Sequence, residues 1–194
     1  IRFEGNGYGE EWRLEAERRG LPNARDTAEA LPILEEEAAG LLLTGKGILT
    51  QEEWEARIHI RHEQYQKALS IEAQVLREMA ETLVLPALLE DLRRRANALV
   101  QLGAAGVEVP ESLRAALKAQ TRLAGQAQDG LVALKAAMVA AETVEGLHPR
   151  TRAFGKSLRQ AQEALRDVLD QAEKDCAADL WPMPVYRELM APLI

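Results

Sequence analysis

Residues 50–102 read TQEEWEARIHIRHEQYQKALSIEAQVLREMAETLVLPALLEDLRRRANALVQL, and this stretch decides the fold of the chain. It contains no glycine, and Pro86 is its only proline. On either side of Pro86 the apolar residues recur at steps of three, four or seven, which places them in one stripe of a helix that must be buried. Pro86 removes one backbone hydrogen bond, which predicts a kink or break there. The stripe comprises Trp54, Ile58, Tyr65, Leu69, Leu76, Met79, Leu83, Leu88, Leu92, Ala96 and Leu99.

Two further apolar runs supply helices for this stretch to pack against. One follows the Gly103-Ala104-Ala105-Gly106 break, and the other follows the loop that contains Gly146. Three long helices joined by short loops should lie antiparallel, and their leucine and alanine stripes allow close approach. The two stripes are Leu113, Leu117, Ala124, Leu131, Leu134, Met138 and Ala141, and then Phe154, Leu158, Ala161, Leu165, Val168, Ala172, Cys176 and Leu180.

Short helices are predicted upstream of the long ones. Residues 10–19 have the pattern of a short helix closed by a glycine, the usual left-handed cap residue. Asp26 with Glu29, and Thr50 with Glu53, have the spacing of capping boxes. Each capping box opens a new helix, because the two side chains satisfy amide groups that the first turn leaves free.

These patterns together predict an all-α fold. Short N-terminal helices precede a bundle of three long antiparallel helices, one of them kinked near Pro86. We assign residues 1–50 to a connecting segment that continues from a part of the protein outside this chain. Residues 51–194 are assigned to the bundle and its C-terminal tail.

The run GNGYG at residues 5–9 precedes the first short helix and allows two interpretations. A glycine-rich turn before a helix binds phosphate when free amide groups and the positive helix end face the anion. Here Glu10 and Glu11 occupy that helix end and would repel a phosphate. No Gly-Lys-Ser/Thr follows, so the phosphate-loop pattern fails. The sequence therefore favours a simple reversal of the chain.

Composition excludes several classes of protein. The 194 residues carry a formal net charge of −7, which argues against nucleic-acid binding. The basic run of residues 93–95 is interpreted as a solvated helix face. No apolar run reaches the roughly 18 residues of a membrane span, and the single cysteine, Cys176, is expected to pack in the bundle. With no signal peptide, a cytoplasmic protein is expected, and the initial Ile1 suggests a segment excised from a longer one.

One group of side chains has the composition of a metal site. His59, His62 and Glu63, with Glu55 one turn earlier, place two imidazoles and two carboxylates near one another on a helix. Zinc accepts such ligands, but the spacing lacks the HExxH arrangement and no further ligand is marked elsewhere. A partly exposed helix face is the preferred interpretation, and His148 is interpreted as a turn residue. We predict no catalytic, cofactor-binding or metal-binding residue in this chain.

Several blocks resemble, in the same order, segments of type III glutamine synthetases. Residues 2–23, RFEGNGYGEEWRLEAERRGLPN, resemble the family segment FNGNGYSEEW-x-x-EAEKRGL-x-N. The ending LWPMPVYREL, residues 180–189, resembles the family ending YWPFPSYGELLF. The family has an acidic residue where His59 stands, which counts further against a metal site. The remaining blocks are TAEALP at 27–32, GILT at 47–50, YQKALSIEA at 65–73 and LPA at 85–87.

The resemblance implies a role without catalysis. Glutamine synthetases join ammonia to glutamate, using ATP and Mg²⁺ or Mn²⁺ at a site shared between subunits. In the family, the metal-binding and ATP-binding residues precede the segment that this chain resembles, so none is transferred to a position here. The resemblance implies a noncatalytic C-terminal helical domain that supports subunit structure, oligomer assembly or regulation. Its partners are then the catalytic core of the same polypeptide and neighbouring subunits of a homo-oligomer. The alternative is a free-standing helical scaffold or adaptor.

Four aromatic residues are the candidate docking residues. Phe3 and Trp12 are expected to face the catalytic core. Trp181 and Tyr186 lie in a tail that two prolines stiffen, and large apolar groups of this kind suit docking onto another surface. The alternative for the tail is docking back onto the same chain, where burial of Trp181 is expected to contribute about 2–3 kcal/mol.

Overall fold

The computed structural model describes residues 3–184 and 189–190, and helices form all the regular secondary structure of these residues. The predicted all-α fold is confirmed. Tyr186 lies outside the described residues. In chain order the elements are α1 (Glu10–Arg18), α2 (Thr27–Ala30), a 3₁₀ helix (Leu31–Glu35), α3 (Glu37–Thr44), α4 (Gln51–Met79), a π turn (Ala80–Val84), α5 (Leu85–Ala104), α6 (Glu111–Thr143), α7 (Leu147–Ala153), a second π turn (Phe154–Leu158) and α8 (Arg159–Asp175).

Both predicted capping boxes begin helices. The Thr50 side chain accepts the Glu53 amide at 3.2 Å, and the Glu53 carboxylate accepts the Thr50 amide at 2.8 Å. The Asp26 carboxylate accepts the Glu29 amide at 2.9 Å, while the Glu29 carboxylate bonds back to the amide of Arg25. These bonds satisfy first-turn amides that a helix cannot satisfy itself, which fixes where α2 and α4 begin.

The helix predicted for residues 50–102 continues through Pro86. The π turn Ala80–Val84 ends two residues before Pro86, and the Leu85 amide donates to the Ala80 carbonyl five residues back. Pro86 thereby falls in the first turn of α5, where its missing N–H costs least. The predicted irregularity near Pro86 is confirmed and takes the form of a widened turn. We call residues 51–104 the first long helix, α6 the second, and residues 147–175 the third.

The first and second long helices are antiparallel. Lys135 contacts Glu81 at 2.7 Å, and Gln120 contacts Asp91 at 3.2 Å, so residue numbers fall along one helix as they rise along the other. The short connection at 105–110 requires the same arrangement.

The third long helix runs parallel to the first. Its residue Thr151 lies against His62, and the Asp175 carbonyl accepts a hydrogen bond from Arg95. The connection at 144–146 is too short for anything but an antiparallel turn from the second helix. Neighbours in sequence are therefore antiparallel, as predicted, and the bundle is an up-down-up arrangement.

The core of the bundle is built largely from leucine and alanine. Gly130 on α6 permits close approach to α8, because a Cβ there would lie 3.1 Å from Cδ1 of Leu165. The largest buried apolar side chains, each at most 2% exposed, are Val84, Leu88, Leu131, Leu134, Leu158 and Leu165.

Two glycines of α6 give a matched test of this packing. We expect Gly125→Ala to raise the free energy of unfolding by about 0.5–1 kcal/mol, because alanine favours a helix and, apart from the adjoining residues and the nearby backbone of the same helix, no atom of the described residues lies within 4 Å of the added Cβ. Gly130→Ala should leave the free energy of unfolding unchanged, because the preference of alanine for a helix is offset by the contact of the new Cβ with Leu165. Urea unfolding followed by circular dichroism measures both variants. Loss of helicity in Gly125→Ala would contradict this packing.

The N-terminal segment packs onto the bundle. A Cβ on Gly40 of α3 would lie 2.9 Å from the Trp54 ring, and one on Gly155 would lie 2.8 Å from Cβ of Ala28. Only glycine fits at these two contacts without displacement of a neighbour. The short helices are therefore held against both the first and the third long helix.

The interpretation of residues 93–95 as a solvated helix face is confirmed, since the three side chains are 64%, 47% and 37% exposed, but two of these arginines also bind distant partners. Arg95 donates to the buried Asp91 carboxylate at 2.7 Å and to the Asp175 carbonyl at 2.5 Å. Arg94 donates to Asp179 at 2.5 Å and holds the pKa of that carboxyl below its usual value. Both arginines thus tie the first long helix to the end of the third. Asp179 and Asp175 lie 85 and 80 residues away from Arg94 and Arg95 in sequence, so no local pattern reveals these two contacts.

Cys176 packs at the end of the third long helix, as expected. It is 9% exposed and belongs to the apolar core, and burial raises the pKa of its thiol. A thiol with a raised pKa is a poor nucleophile at neutral pH. Within the described residues, no helix combines the length and apolar character needed to cross a bilayer.

Candidate functional site

Two amide groups of the glycine loop at residues 5–9 are hydrogen-bonded within the loop itself. The Asn6 side chain accepts the Tyr8 amide at 3.0 Å, and the Asn6 carbonyl accepts the Gly9 amide at 2.9 Å. A phosphate would need these amides free. The geometry is that of a local chain reversal, the interpretation that the sequence favoured.

Two of the candidate docking residues contact each other beside this loop. The rings of Phe3 and Trp12 have centroids 5.1 Å apart at an angle of 49°. The Phe3 ring also covers Gly5, where a Cβ would lie 2.5 Å from it. Both side chains are half-buried. They close the turn onto α1, and their contact with another part of the protein stays a prediction.

Trp181 packs against the apolar core of its own chain. It is half-buried and lies with Met183 beside Leu76 and Met79 of α4 and Leu169 of α8. Its indole nitrogen is buried with no hydrogen-bond partner in the part of the chain that the structure describes. The contact therefore depends on apolar area rather than on a polar bond.

The metal-ligand group considered on α4 does not assemble. His59 is exposed and lies 3.6 Å from Glu63, while Glu55 accepts a hydrogen bond from Gln51. His62 instead turns into the molecule and is 1% exposed. His62 lies on the narrow inner face of the helix, whereas His59, about 60° around the helix from it, falls outside that face and is 58% exposed.

His62 meets two residues from other elements. Its Nε2 lies 3.0 Å from Oε1 of Glu35, at the end of the 3₁₀ helix, and Nε2 of His148 lies 3.1 Å from Oε2 of the same carboxylate. The two imidazole rings are nearly perpendicular, with centroids 5.1 Å apart. One donor atom from each residue lies within 4.8 Å of the others. We call Glu35, His62 and His148 the His-Glu cluster.

A second layer of hydrogen bonds holds the buried histidine. Nδ1 of His62 lies 2.7 Å from the Thr151 hydroxyl, which also accepts a hydrogen bond from Gln66 at 2.8 Å. The Thr151 hydroxyl lies 2.9 Å from the Leu147 carbonyl, to which it can donate. When the Thr151 hydroxyl donates to Leu147 it accepts the Nδ1 proton of His62, so Nε2 faces the Glu35 carboxylate either as a proton donor or, in place of that proton, as a ligand of a cation.

The order Thr151, His62, Glu35 also matches that of a nucleophile, a base and an orienting carboxylate. Burial argues against that chemistry, because the Thr151 hydroxyl and the His62 ring belong to residues that are each 1% exposed. Among the described residues, this burial places the hydroxyl out of reach of a substrate carbonyl. The donor set is better suited to holding a cation.

Sequence reasoning missed this cluster for two reasons. His148 is the second residue of α7 and not a turn residue, and its partners come from elsewhere in the chain. A signal for His62 was present, since it falls between Ile58 and Tyr65 at steps of four and three in the apolar stripe. A histidine within such a stripe is buried and needs polar partners.

Comparison with known proteins shows which proteins this chain resembles. Residues 1–102 match the family model described as the glutamine synthetase C-terminal domain. Over 201 aligned residues the chain is 30% identical to a glutamine synthetase of Bacteroides fragilis, an alignment that covers 98% of the chain and 27% of that relative.

Two further relatives match a shorter part of the chain. A glutamine synthetase of Butyrivibrio fibrisolvens is 39% identical over 79 residues, which is 41% of the chain and 11% of the relative. A type-3 glutamine synthetase of Dictyostelium discoideum is 41% identical over 85 residues, which is 44% of the chain and 12% of the relative. The chain thus spans about a quarter of the length of the Bacteroides fragilis relative and about a tenth of the length of the other two.

Proposed function

Because the chain belongs to the glutamine synthetase C-terminal domain family, we propose that it is the noncatalytic C-terminal helical domain of a cytoplasmic type III glutamine synthetase. The alignment to the Bacteroides fragilis enzyme carries this proposal. It extends over nearly the whole chain, including the long helices beyond residue 102, yet covers only about a quarter of that enzyme. The type-3 name of the Dictyostelium relative supports the subclass.

The parent enzyme then makes glutamine from glutamate, ammonia and ATP with Mg²⁺ or Mn²⁺, and binds these ligands in the rest of its polypeptide. The glycine loop does not fit a nucleotide phosphate, because its amides at Tyr8 and Gly9 are bonded within the loop. Hydrogen bonds from arginines hold the pKa values of Glu15 and Glu90 at about 2, so these carboxylates serve ion pairs on the helix surface.

The proposed role is to support the subunit and its assembly. Ile60, Ile71 and Val75 form an apolar stripe on one exposed face of α4 that is interrupted by Gln64 and Lys67, and each of the three apolar residues is 48–61% exposed. Exposed apolar side chains in rows are typical of contact surfaces. We assign this stripe to contact with the catalytic core or a neighbouring subunit of the homo-oligomer.

Substitution of Ile60 tests the assembly role. We expect Ile60→Glu to change the free energy of unfolding of this chain by less than about 0.5 kcal/mol, because the side chain is 50% exposed. In the complete enzyme the buried charge should shift the oligomer toward smaller species, which light scattering after size exclusion measures. Val139→Glu, at a 62% exposed position of α6, is the matched control. Unchanged assembly in Ile60→Glu would contradict the assignment.

The noncatalytic role is tested by an activity assay. The complete enzyme should form glutamine from glutamate, ammonia and MgATP, and the isolated chain should form none. Glutamine formation by the isolated chain would overturn the proposal. The alternative, a free-standing scaffold, is favoured if the reading frame upstream of Ile1 encodes no catalytic region.

A further inference from the structure

The geometry points to a binding site for a divalent transition metal ion such as Zn²⁺. Its ligands would be Glu35, His62 and His148. The three residues come from the 3₁₀ helix, α4 and α7, which are brought together only by the fold. The metal ion would join the N-terminal segment to the first and third long helices. This role is separate from the chemistry of the parent enzyme.

The distances suit ligands of one ion. Two ligands of a tetrahedral zinc ion lie about 3.3 Å apart when each bond is about 2.0–2.1 Å long. The two nitrogen–oxygen separations in the cluster are 3.0 and 3.1 Å, one from each oxygen of Glu35, and one ligand atom from each of the three residues lies within 4.8 Å of the others. His148 is 48% exposed, so its ring can rotate inward to complete the set. Two histidines and one glutamate leave a fourth position for water, as in known zinc sites.

The surroundings of His62 are those of a metal ligand. A ligating imidazole donates its other ring N–H to a fixed oxygen, which orients the ring. The Thr151 hydroxyl is such an oxygen, at 2.7 Å from Nδ1, and is itself held by Gln66 and Leu147. The ligand nitrogen is therefore preorganised before the ion arrives, and His62 does not move because it is 1% exposed.

The two imidazole ligands indicate which class of metal ion the site would bind. Imidazole nitrogen suits Zn²⁺, Cu²⁺, Ni²⁺ or Fe²⁺, whereas Mg²⁺ and Ca²⁺ require oxygen ligands. Access from solvent is available, because the side chains of Glu35 and His148 are 27% and 48% exposed. The site thus combines one buried ligand with two ligands at the surface.

Zinc titration of the metal-free chain tests this proposal. The full chain is treated with EDTA, dialysed and titrated with ZnCl₂ alone in a calorimeter. We expect one Zn²⁺ per chain, released again by EDTA. At a zinc concentration of about one hundred times Kd, the melting temperature should rise by roughly 5–10 °C. Co²⁺ should bind at the same site and give a visible tetrahedral absorption band, and MgCl₂ should leave the melting temperature unchanged.

Variants place the ion at the cluster. Glu35→Gln and His148→Gln should fold normally, because both side chains are partly exposed, and should weaken zinc binding by roughly a hundredfold. His59→Gln removes an exposed histidine of the same helix and should bind zinc like the unsubstituted chain. The proposal is overturned if zinc causes no EDTA-reversible stabilisation. It is also overturned if His148→Gln and Glu35→Gln bind zinc unchanged, or if His59→Gln loses the binding.

Discussion

Replacing Leu165 with alanine should lower the free energy of unfolding by about 3–5 kcal/mol. Leu165 is fully buried in the seam between α6 and α8, and its Cδ1 lies 3.1 Å from the position of a Cβ on Gly130. The substitution removes buried apolar area and leaves a cavity. Because Gly130 has no side chain to move into that cavity, the loss should fall in the upper part of the range for leucine-to-alanine changes.

Chemical unfolding measures this loss, with Leu89→Ala as its control. Leu89 is 60% exposed on α5, so its truncation should cost less than about 1 kcal/mol. The melting temperature of Leu165→Ala should fall by roughly 10 °C. Equal stability of the two variants would show that the seam between α6 and α8 is not packed as described.

The long helices were predictable because their signals are local. The Thr50–Glu53 capping box and the apolar stripe after it lie within one stretch of sequence, and each constrains the backbone where it stands. Pro86 marked the place of the irregularity but not its form. Proline shows which hydrogen bond an α-helix loses, whereas packing on both sides decides that the helix continues through a π turn.

The second π turn had no sequence signal that could be interpreted in advance. It spans Phe154–Leu158, where no proline stands, and its Gly155 lies against Ala28 and Tyr65. These contacts join residues that are about 90 or more positions apart. Only the assembled tertiary structure makes a glycine necessary at that position.

The His-Glu cluster was also unpredictable from local sequence, because its members come together only in the folded chain. A search along one helix pairs His59 with Glu63, because neighbours in sequence are the only neighbours that a single element reveals. The partners of His62 lie 27 and 86 positions away, at Glu35 and His148. The apolar stripe of the first long helix predicts that His62 is buried. It does not predict which polar groups the fold provides for it.

Trp181 in the C-terminal tail is the second residue whose replacement should lower the stability of the chain strongly. We expect Trp181→Ala to lower the free energy of unfolding by about 2–3 kcal/mol, because the indole packs on the core of the bundle beside Met79 and Leu169. Trp181→Phe should cost less, since it keeps an aromatic ring. It also removes an indole N–H that is buried without a partner among the described residues, so no hydrogen bond is lost.

Two measurements show whether Trp181 anchors the tail or only touches the bundle. Urea unfolding gives the stability of both variants. Limited proteolysis followed by mass spectrometry gives the rate of cleavage after Asp179, which should rise in Trp181→Ala because the tail opens more often. The Arg94–Asp179 ion pair remains in both variants and holds the start of the tail, so the difference reports on the indole itself. An alanine variant with unchanged stability and unchanged cleavage would show that Trp181 does not anchor the tail, and its apolar surface would then be available to another subunit.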